Sequence, residues 1–565
     1  MAKERKPSGP TPLDAITPPR PDMIWPERNV GWLVLLALGV LSGVWIALAM
    51  TTFFVGPSEW DDNQYCDLAA LPRPNAAVPN RYVHIWTLRI FYLLMDSRRT
   101  AAALYSALAV VGMMWVAYFL GRRISGEAGG LLAAVLTPLH PVLLKYLTVP
   151  YSDEPMGLWS GVALVCAVRA RETRSVHWRW GAVAAAGWSC FMAVKCKETG
   201  LAVLPAVYLL LWDGDGKAKA VAQWLGGVLL AWAGLILLDG IFMSDAWFSC
   251  RLSSYLPGTP SNLKPTIRAS SGYWDLLLLR PYLAFSLLGA AGALASFREN
   301  RLVRAVTVWG FGALAFQAWI ASISVGVHAL DRYTVSIAQP LVILTAHWMV
   351  KLWQRPQTQS TGRPFALGAV LVILVGLTAP GIFVHVTDDP DPADTTWRSY
   401  FFLTRLTMVT LFAVPWLTAN RWMARAALGA LMGMTLTLSV SGARVYVEES
   451  TAKLQPWMQL ASELDRTGAH LVTWRLPDKP FSPERIAWRA RALSTQPPER
   501  IEVREASSLD EVRENEWVVT NLQWFERRTE EQKELLSRGW RPFVGGVEAD
   551  GGFAVCQRTP GLPSG

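Results

Sequence analysis

The sequence predicts a polytopic α-helical membrane protein with about 13 transmembrane helices and a small C-terminal α/β soluble domain. Of its 565 residues, 52% are hydrophobic and only 17% are charged, which a water-soluble domain of this size rarely shows. Apolar windows of about 20 residues, long enough to cross a bilayer core, recur along the chain. Lys and Arg cluster in every second loop between them, as the cytoplasmic preference of basic residues requires. The net charge of +9 therefore does not indicate a nucleic-acid partner.

Three regions follow one another along the chain. Residues 1–29 are polar and rich in proline, and we expect a disordered cytoplasmic tail. Residues 30–442 form the predicted membrane domain, with long outer loops at 56–100 and 244–280. Residues 443–565 form a predicted soluble domain on the outer side. The predicted spans begin near Val30, Ala101, Ala128, Pro155, Trp180, Leu201, Val221, Pro281, Ala305, Thr334, Phe365, Tyr400 and Ala426.

Shorter patterns refine these regions. Residues 82–95 of the first outer loop place apolar side chains at helical spacing, which predicts a helix lying flat at the membrane interface. In the soluble region, apolar runs at 471–474, 517–520 and 553–555 predict strands, and 457–464 and 529–537 predict helices. That region contains no phosphate-binding glycine loop, and we assign it no chemistry.

Two acidic clusters lie at the outer ends of predicted spans. Asp61 and Asp62 follow the first span, where adjacent carboxylates can hold a divalent cation or accept the proton of an attacking hydroxyl. A solvated loop start explains an isolated acidic pair more readily. Asp153 and Glu154 precede Pro155 at the start of a span, where helix capping explains them about as well as function does.

Two basic clusters lie on the same side. Lys195 and Lys197, followed by Glu198, oppose the cytoplasmic preference of lysine, and a cationic pair at this depth would bind phosphate. Snorkelling lysines are the equal alternative. Farther along, His328, Arg332 and Tyr333 lie at the outer end of another span, where Arg332 could neutralise a phosphate.

The joint placement of the four clusters favours an enzyme. The interiors of the predicted spans are nearly free of ionisable residues apart from Asp239, near one outer end. A transporter or proton relay usually needs polar groups near the bilayer midplane. An enzyme acting on a lipid-linked head group needs them at one surface.

This layout resembles the GT-C superfamily of membrane glycosyltransferases, particularly the protein O-mannosyltransferases and the bacterial aminoarabinose transferase that modifies lipid A. The resemblance covers residues 30–343. It departs from the family in the first loop, where 83–86 reads Val-His-Ile-Trp instead of a clear His-Pro-Pro. The matching motifs are the acidic pair Asp61 and Asp62, His140-Pro141, Ser152-Asp153 with Pro155, the turn from Lys197 to Gly200, and Arg332-Tyr333 with Pro340.

The resemblance implies an inverting glycosyltransferase of the bacterial inner membrane that takes its sugar from a polyprenyl-phosphate carrier on the periplasmic face. The acceptor, a lipid, protein or glycan, is left open. Two other classes stay open, a flippase or transporter of lipid-linked sugars and a non-catalytic membrane scaffold.

Site roles follow from the same resemblance. The catalytic candidates are Asp61, Asp62 and Asp153, with Asp61 or Asp62 as general base. If a divalent cation is required, these three carboxylates are its candidate ligands. Lys195, Lys197 and Arg332 would hold the phosphate. The full predicted substrate-binding set is Glu154, Lys195, Lys197, Glu198, His328, Arg332 and Tyr333.

Overall fold

The computed structural model describes residues 28–58, 60–70, 81–211, 217–243, 280–323, 331–354, 395–418, 420–474, 483–495, 500–501, 503–513, 515–521, 530–548 and 551–558. Every structural statement below concerns these residues. The predicted tail through residue 27, the outer loop 244–279, the span near Phe365 and the site candidate His328 lie outside them.

Helices dominate the chain up to residue 467. They are α1 (Arg28–Thr51), α2 (Trp60–Ala70), α3 (Tyr82–Leu94), α4 (Arg98–Leu139), α5 (Pro141–Lys145), α6 (Asp153–Glu172), α7 (Val176–Cys196), α8 (Leu204–Leu211), α9 (Lys217–Met243), α10 (Arg280–Ser296), α11 (Arg301–Ile323), α12 (Val335–Gln354), α13 (Thr395–Leu417) and α14 (Arg421–Thr467). Two 3₁₀ segments, Glu198–Val203 and Asp331–Thr334, precede α8 and α12.

The helices fit an integral membrane protein. In the described part of the chain, 5 helices are long and apolar enough to cross a bilayer, and three shorter apolar helices accompany them. Each predicted span start except Phe365 falls within a described helix or 3₁₀ segment. The total of about 13 spans stays a prediction.

Helix α4 is a hairpin of two arms. Ser125 and Gly126 have non-helical backbone angles, and φ of Gly126 is +73°. A Cβ placed on Gly121 would lie 2.8 Å from the carbonyl oxygen of Gly129. In a straight helix these residues would be about 12 Å apart, so the chain must reverse between them. The arms correspond to the predicted starts at Ala101 and Ala128.

Helix α14 continues well past the predicted last span. Its 47 residues extend about 70 Å, more than the roughly 45 Å of a bilayer with head groups. Its last turns carry Trp457, Leu460 and Leu464, which are buried against the C-terminal strands. The predicted boundary at 442/443 therefore falls inside one helix.

Five strands follow α14 in one mixed sheet of order β2-β1-β3-β5-β4. Strand β1 is parallel to β2 and β3, whereas β5 is antiparallel to β3 and β4. The predicted strand runs lie in β1, β3 and β5. The elements are β1 (His470–Trp474), α15 (Pro483–Leu493), β2 (Val503–Ala506), β3 (Glu516–Asn521), α16 (Glu530–Ser537), β4 (Trp540–Glu548) and β5 (Gly551–Arg558).

Contacts divide the chain into two units, Met1–Trp45 and Ile46–Gly565. The second unit contains both the sheet and the helices from α2 onward. That residues 443–565 form a separate domain stays a prediction.

Candidate active site

Asp62 lies in the first turn of α2 and is fully buried. Its Oδ2 accepts the backbone N–H of Ser58 at 2.7 Å, and its Oδ1 accepts that of Asn63 at 2.8 Å. A carboxylate near a helix start that reaches back to a preceding N–H acts as a cap. A carboxylate has about four positions that can accept a hydrogen bond, and the two capping bonds occupy two of them. The side chain of Asp61 lies outside the described residues.

Asp153 and Lys197 form a buried ion pair between two helix ends. Asp153 is the first residue of α6, and Lys197 follows α7 in extended conformation, with φ of −161°. Lys197 Nζ lies 2.6 Å from Asp153 Oδ1, and both side chains are less than 5% exposed. The negative charge of Asp153 therefore compensates the positive charge of Lys197 within the site.

Three buried polar side chains flank this pair, and we call them the unpaired cluster: Ser152, Glu154 and Thr199. None of their side-chain oxygens has a hydrogen-bond partner among the described residues. An unsatisfied buried polar group costs about 1–3 kcal/mol, and native proteins leave few of them. The expected partner of the cluster is a bound polar molecule.

Arg332 joins this group from the 3₁₀ segment before α12. Its charge acts on the carboxylate of Glu154. Its guanidinium lies over the ring of Tyr151, 4.8 Å from the centroid. The N-terminal end of α12 thus meets the start of α6.

A row of tyrosines continues from Arg332 towards α2. Tyr151 contacts Tyr146 edge to face at 5.4 Å, and Tyr146 contacts Tyr446 of α14 at 5.1 Å. Lys145 Nζ lies 5.0 Å from the rings of both Tyr146 and Tyr446. The Tyr446 hydroxyl lies 3.3 Å from Ser58 Oγ, next to the cap made by Asp62. Arg332 and the first-loop carboxylate therefore belong to one continuous set of contacts.

The other predicted binding residues lie on neighbouring segments or outside the described residues. Lys195 is buried in the last turn of α7, with Nζ 5.8 Å from the ring of Phe191 on the same helix. Glu198 is partly exposed at the start of the 3₁₀ segment that follows. Neither His328 nor the side chain of Tyr333 is described.

Two histidines near the site are neutral at physiological pH. Burial lowers the pKa of His140 to about 3, and its ring packs 4.7 Å from that of Phe285. Burial, helped by the charge of Arg81, lowers the pKa of His84 to about 3. His84 Nδ1 and the Tyr105 hydroxyl are hydrogen-bonded at 2.9 Å. Neither imidazole can supply positive charge to a phosphate.

The described carboxylates do not fit a divalent-cation site. No group of three His, Cys, Asp or Glu side chains in the described part of the chain could hold a metal ion. Asp153 already binds Lys197 and Asp62 binds two backbone N–H groups, so a cation would have to displace these partners. We derive no step through a metal.

Several contributors were missed at the level of sequence. Lys145 is a lysine in an outer loop, the same signal that indicated Lys195 and Lys197. Ser152 stood in the quoted motif without a role, and Thr199 stood in the Lys-Glu-Thr-Gly turn. Tyr446 gave no signal, because its contact with Ser58 joins residues 388 positions apart.

Comparisons with known proteins bear on this arrangement. The family model of dolichyl-phosphate-mannose-protein mannosyltransferases matches residues 79–237, which contain the Asp153–Lys197 pair. The crystal structure of ArnT from Cupriavidus metallidurans in the apo state superposes with a TM-score of 0.59 at 15% identity, covering 94% of this chain and 98% of that one. The chain therefore shares its fold with this ArnT structure.

The same ArnT bound to undecaprenyl phosphate gives a TM-score of 0.59 at 16% identity, covering 95% of this chain and 99% of that one. No curated protein sequence matches significantly. The comparisons confirm the resemblance to membrane glycosyltransferases that the motifs indicated.

Proposed function

We propose that this protein is a membrane glycosyltransferase that moves a sugar from a polyprenyl-phosphate carrier to an acceptor on the non-cytoplasmic face, with inversion. The unpaired cluster beside the Asp153–Lys197 pair carries the proposal, because it offers buried hydroxyl and carboxylate groups to a polar ligand. The fold it shares with a protein solved with undecaprenyl phosphate bound supports a lipid-linked donor. We place the site on the periplasmic face of a bacterial inner membrane.

The reaction needs a base for the acceptor. Asp61 or Asp62 takes the proton of the acceptor hydroxyl, whose oxygen attacks the anomeric carbon of the donor. The bond from that carbon to the phosphate oxygen breaks, and polyprenyl phosphate leaves with the electron pair. Attack from the face opposite the leaving group inverts the anomeric configuration.

The leaving phosphate needs positive charge. Arg332 supplies a guanidinium, which matches two phosphate oxygens at once. An ammonium has three donor directions, so Lys197 can contact Asp153 and a phosphate together. Charge that compensates the leaving group in a partly dry site lowers the barrier. Lys195, Glu198, His328 and Tyr333 remain in the proposed binding set.

The unpaired cluster takes the sugar. Ser152 and Thr199 can each donate and accept a hydrogen bond, as sugar hydroxyls do. Glu154 orients the sugar or the acceptor from between them. This role explains why these groups stay buried without protein partners.

The test uses the purified full-length protein in lipid nanodiscs with radiolabelled polyprenyl-phosphate sugars and a membrane extract. We expect one donor to be consumed, polyprenyl phosphate to be released and label to appear in an acceptor. Consumption of no donor would refute the proposal. Passage of intact donor across proteoliposomes, with no new glycosidic bond, would instead establish a flippase.

A further inference from the structure

Helix α15, far along the chain, packs directly on the first outer loop. Ala492 shares a buried cluster with Cys66 and Leu68 of α2 and Ile85 of α3. Arg98 at the start of α4 donates to the backbone carbonyl of Arg491 at 2.9 Å. The segment after α14 therefore packs against α2, the helix that carries Asp62.

Residues 53–58, which we call the entry turn, connect α1 to α2 and are held from the membrane side. The Val55 N–H donates to Thr148 Oγ1 at 2.9 Å, and that hydroxyl donates to the Phe53 carbonyl at 2.7 Å. Arg99 Nε donates to the Val55 carbonyl at 2.9 Å. Gly56 has φ of +79°, and a Cβ there would lie 2.7 Å from Arg99 Cγ. The first half of the turn is thus fixed by α4 and by the loop after α5.

Its last residue is held from the outer side by Arg489. Arg489 Nη2 donates to the Ser58 carbonyl at 2.8 Å, while the Ser58 N–H donates to Asp62 Oδ2 at 2.7 Å. Arg489 is only 3% exposed, and its guanidinium lies 5.3 Å from the ring centroid of Trp457 at the end of α14. Ser58 is therefore held through its carbonyl by α15 and through its N–H by the carboxylate that follows it.

We propose that Arg489 is a positioning residue for the first-loop carboxylate Asp62, so that the C-terminal segment is part of the active site and not an accessory module. The positioning role rests on the function proposed above. A displacement of about 1 Å at a catalytic group can cost about a hundredfold in rate. A buried guanidinium with two fixed contacts limits that displacement.

The experiment compares three variants of the full-length protein by hydrogen exchange and by kinetics. Arg489→Met removes the donor, and Arg489→Lys keeps the charge but not the planar fork. Arg538→Met is the control, because Arg538 lies in the same segment and pairs with Asp510 and Glu534 away from the entry turn. Exchange is followed in peptides covering residues 53–66.

We expect exchange in these peptides to become about tenfold faster or more in Arg489→Met, with a smaller increase in Arg489→Lys and no change in Arg538→Met. We also expect kcat of Arg489→Met to fall about ten- to hundredfold while KM for the donor changes less than about twofold. A merely structural role would lower the amount of active protein without changing kcat per active site.

Two results would overturn the inference. One is unchanged exchange at 53–66 in both Arg489 variants, and Arg489→Lys alone decides this if Arg489→Met is not recovered folded. The other is faster exchange with kcat equal to that of Arg538→Met. If the wild type consumes no donor while exchange still responds to Arg489, then the proposed function has failed and the contact between Arg489 and the entry turn stands.

Discussion

The two ends of the helices carry polar groups of opposite character. At the end predicted to face the cytoplasm, His347 of α12 bonds Ser125 Oγ through Nδ1 at 2.6 Å and Ser296 Oγ through Nε2 at 2.9 Å. Lys351 Nζ donates to the same Ser296 hydroxyl at 3.1 Å. We call these four residues the inner clasp. At the end predicted to face outwards, the unpaired cluster has no such partners in the described residues.

Helix α6 shows the same difference within one element. Glu172 at its C-terminal end pairs with Arg123 at 2.8 Å. Glu154 at its N-terminal end is buried, and neither of its carboxylate oxygens has a hydrogen-bond partner among the described residues. Satisfied polar groups join helices to each other, whereas unsatisfied buried ones mark the surface that a ligand completes. We therefore expect mutations at one end to change mainly the stability of the protein and mutations at the other end to change mainly its activity.

The largest expected effect is on the base. Asp61→Asn or Asp62→Asn should lower kcat about 10²–10⁴-fold, because an amide cannot accept the acceptor proton. Initial rates of sugar transfer check this, alongside membrane insertion measured by yield and gel filtration. Full activity in both single variants would remove the general-base role.

The next effect is on the buried ion pair. Lys197→Met should destabilise the protein by about 3–5 kcal/mol, because Asp153 is left as an uncompensated buried charge. The double variant Asp153→Asn/Lys197→Met should recover most of that stability and remain inactive. Thermal unfolding in detergent measures the first effect and transfer assays the second. An active double variant would show that the pair is purely structural.

Glu154 gives a sharper separation. Glu154→Gln should lower transfer about ten- to hundredfold without loss of stability, because the buried carboxyl has no hydrogen-bond partner among the described residues that the amide would lose. Glu172→Gln on the same helix is the matched control and should leave transfer unchanged. Equal activity of the two variants would break the comparison between the ends.

The inner clasp should behave in the opposite way. His347→Leu should cost about 1–3 kcal/mol of stability, because the Ser125 hydroxyl loses its bond to Nδ1 and the Ser296 hydroxyl keeps only its bond from Lys351. The kcat per folded molecule should not change. Thermal unfolding together with active-site-normalised rates checks this, and a drop in kcat at unchanged stability would contradict it.

The last prediction concerns pH. The folded pKa of His84, about 3, lies below its ordinary value of 6.5, so the folded state binds fewer protons than the unfolded state. Its contribution to stability is fully present above about pH 6.5 and is lost as pH falls towards 3. His84→Asn should flatten the dependence of Tm on pH between about pH 7 and 4. A dependence as steep as that of the wild type in His84→Asn would contradict this.

Much of the helical architecture could be predicted, because a helix that crosses the membrane consists of about 20 consecutive apolar residues, which the sequence shows directly. The starts near Ala101 and Ala128 gave the two arms of α4, and the interfacial pattern at 82–95 gave α3. The tight turn between these arms was not predicted, because it depends on close contacts between glycines that a hydropathy pattern does not show. The length of α14 was also not foreseen, since its outer half loses the apolar signal while remaining helical.

The candidate site was predictable residue by residue but not in its pairings. The sequence indicated Asp153 and Lys197 separately, and a charge count could not show that they neutralise each other. The sequence also could not show which buried polar groups lack hydrogen-bond partners, because those partners come from other helices. Arg489 was missed because it meets Ser58 across 431 positions, from a helix with ordinary soluble composition.

Because α14 is one continuous helix, its length fixes both the distance from the bilayer to the sheet and the rotation of the sheet about the helix axis. Removing one residue from its exposed stretch would rotate everything beyond by about 100° and shorten the rod by about 1.5 Å. Trp457, and Arg489 stacked against it, would then swing to another side of the axis. Inserting seven residues would nearly restore the azimuth but raise the sheet by about 10 Å. The length of α14 is therefore constrained by the position of Arg489, just as the identity of a side chain in the site is constrained by its contacts.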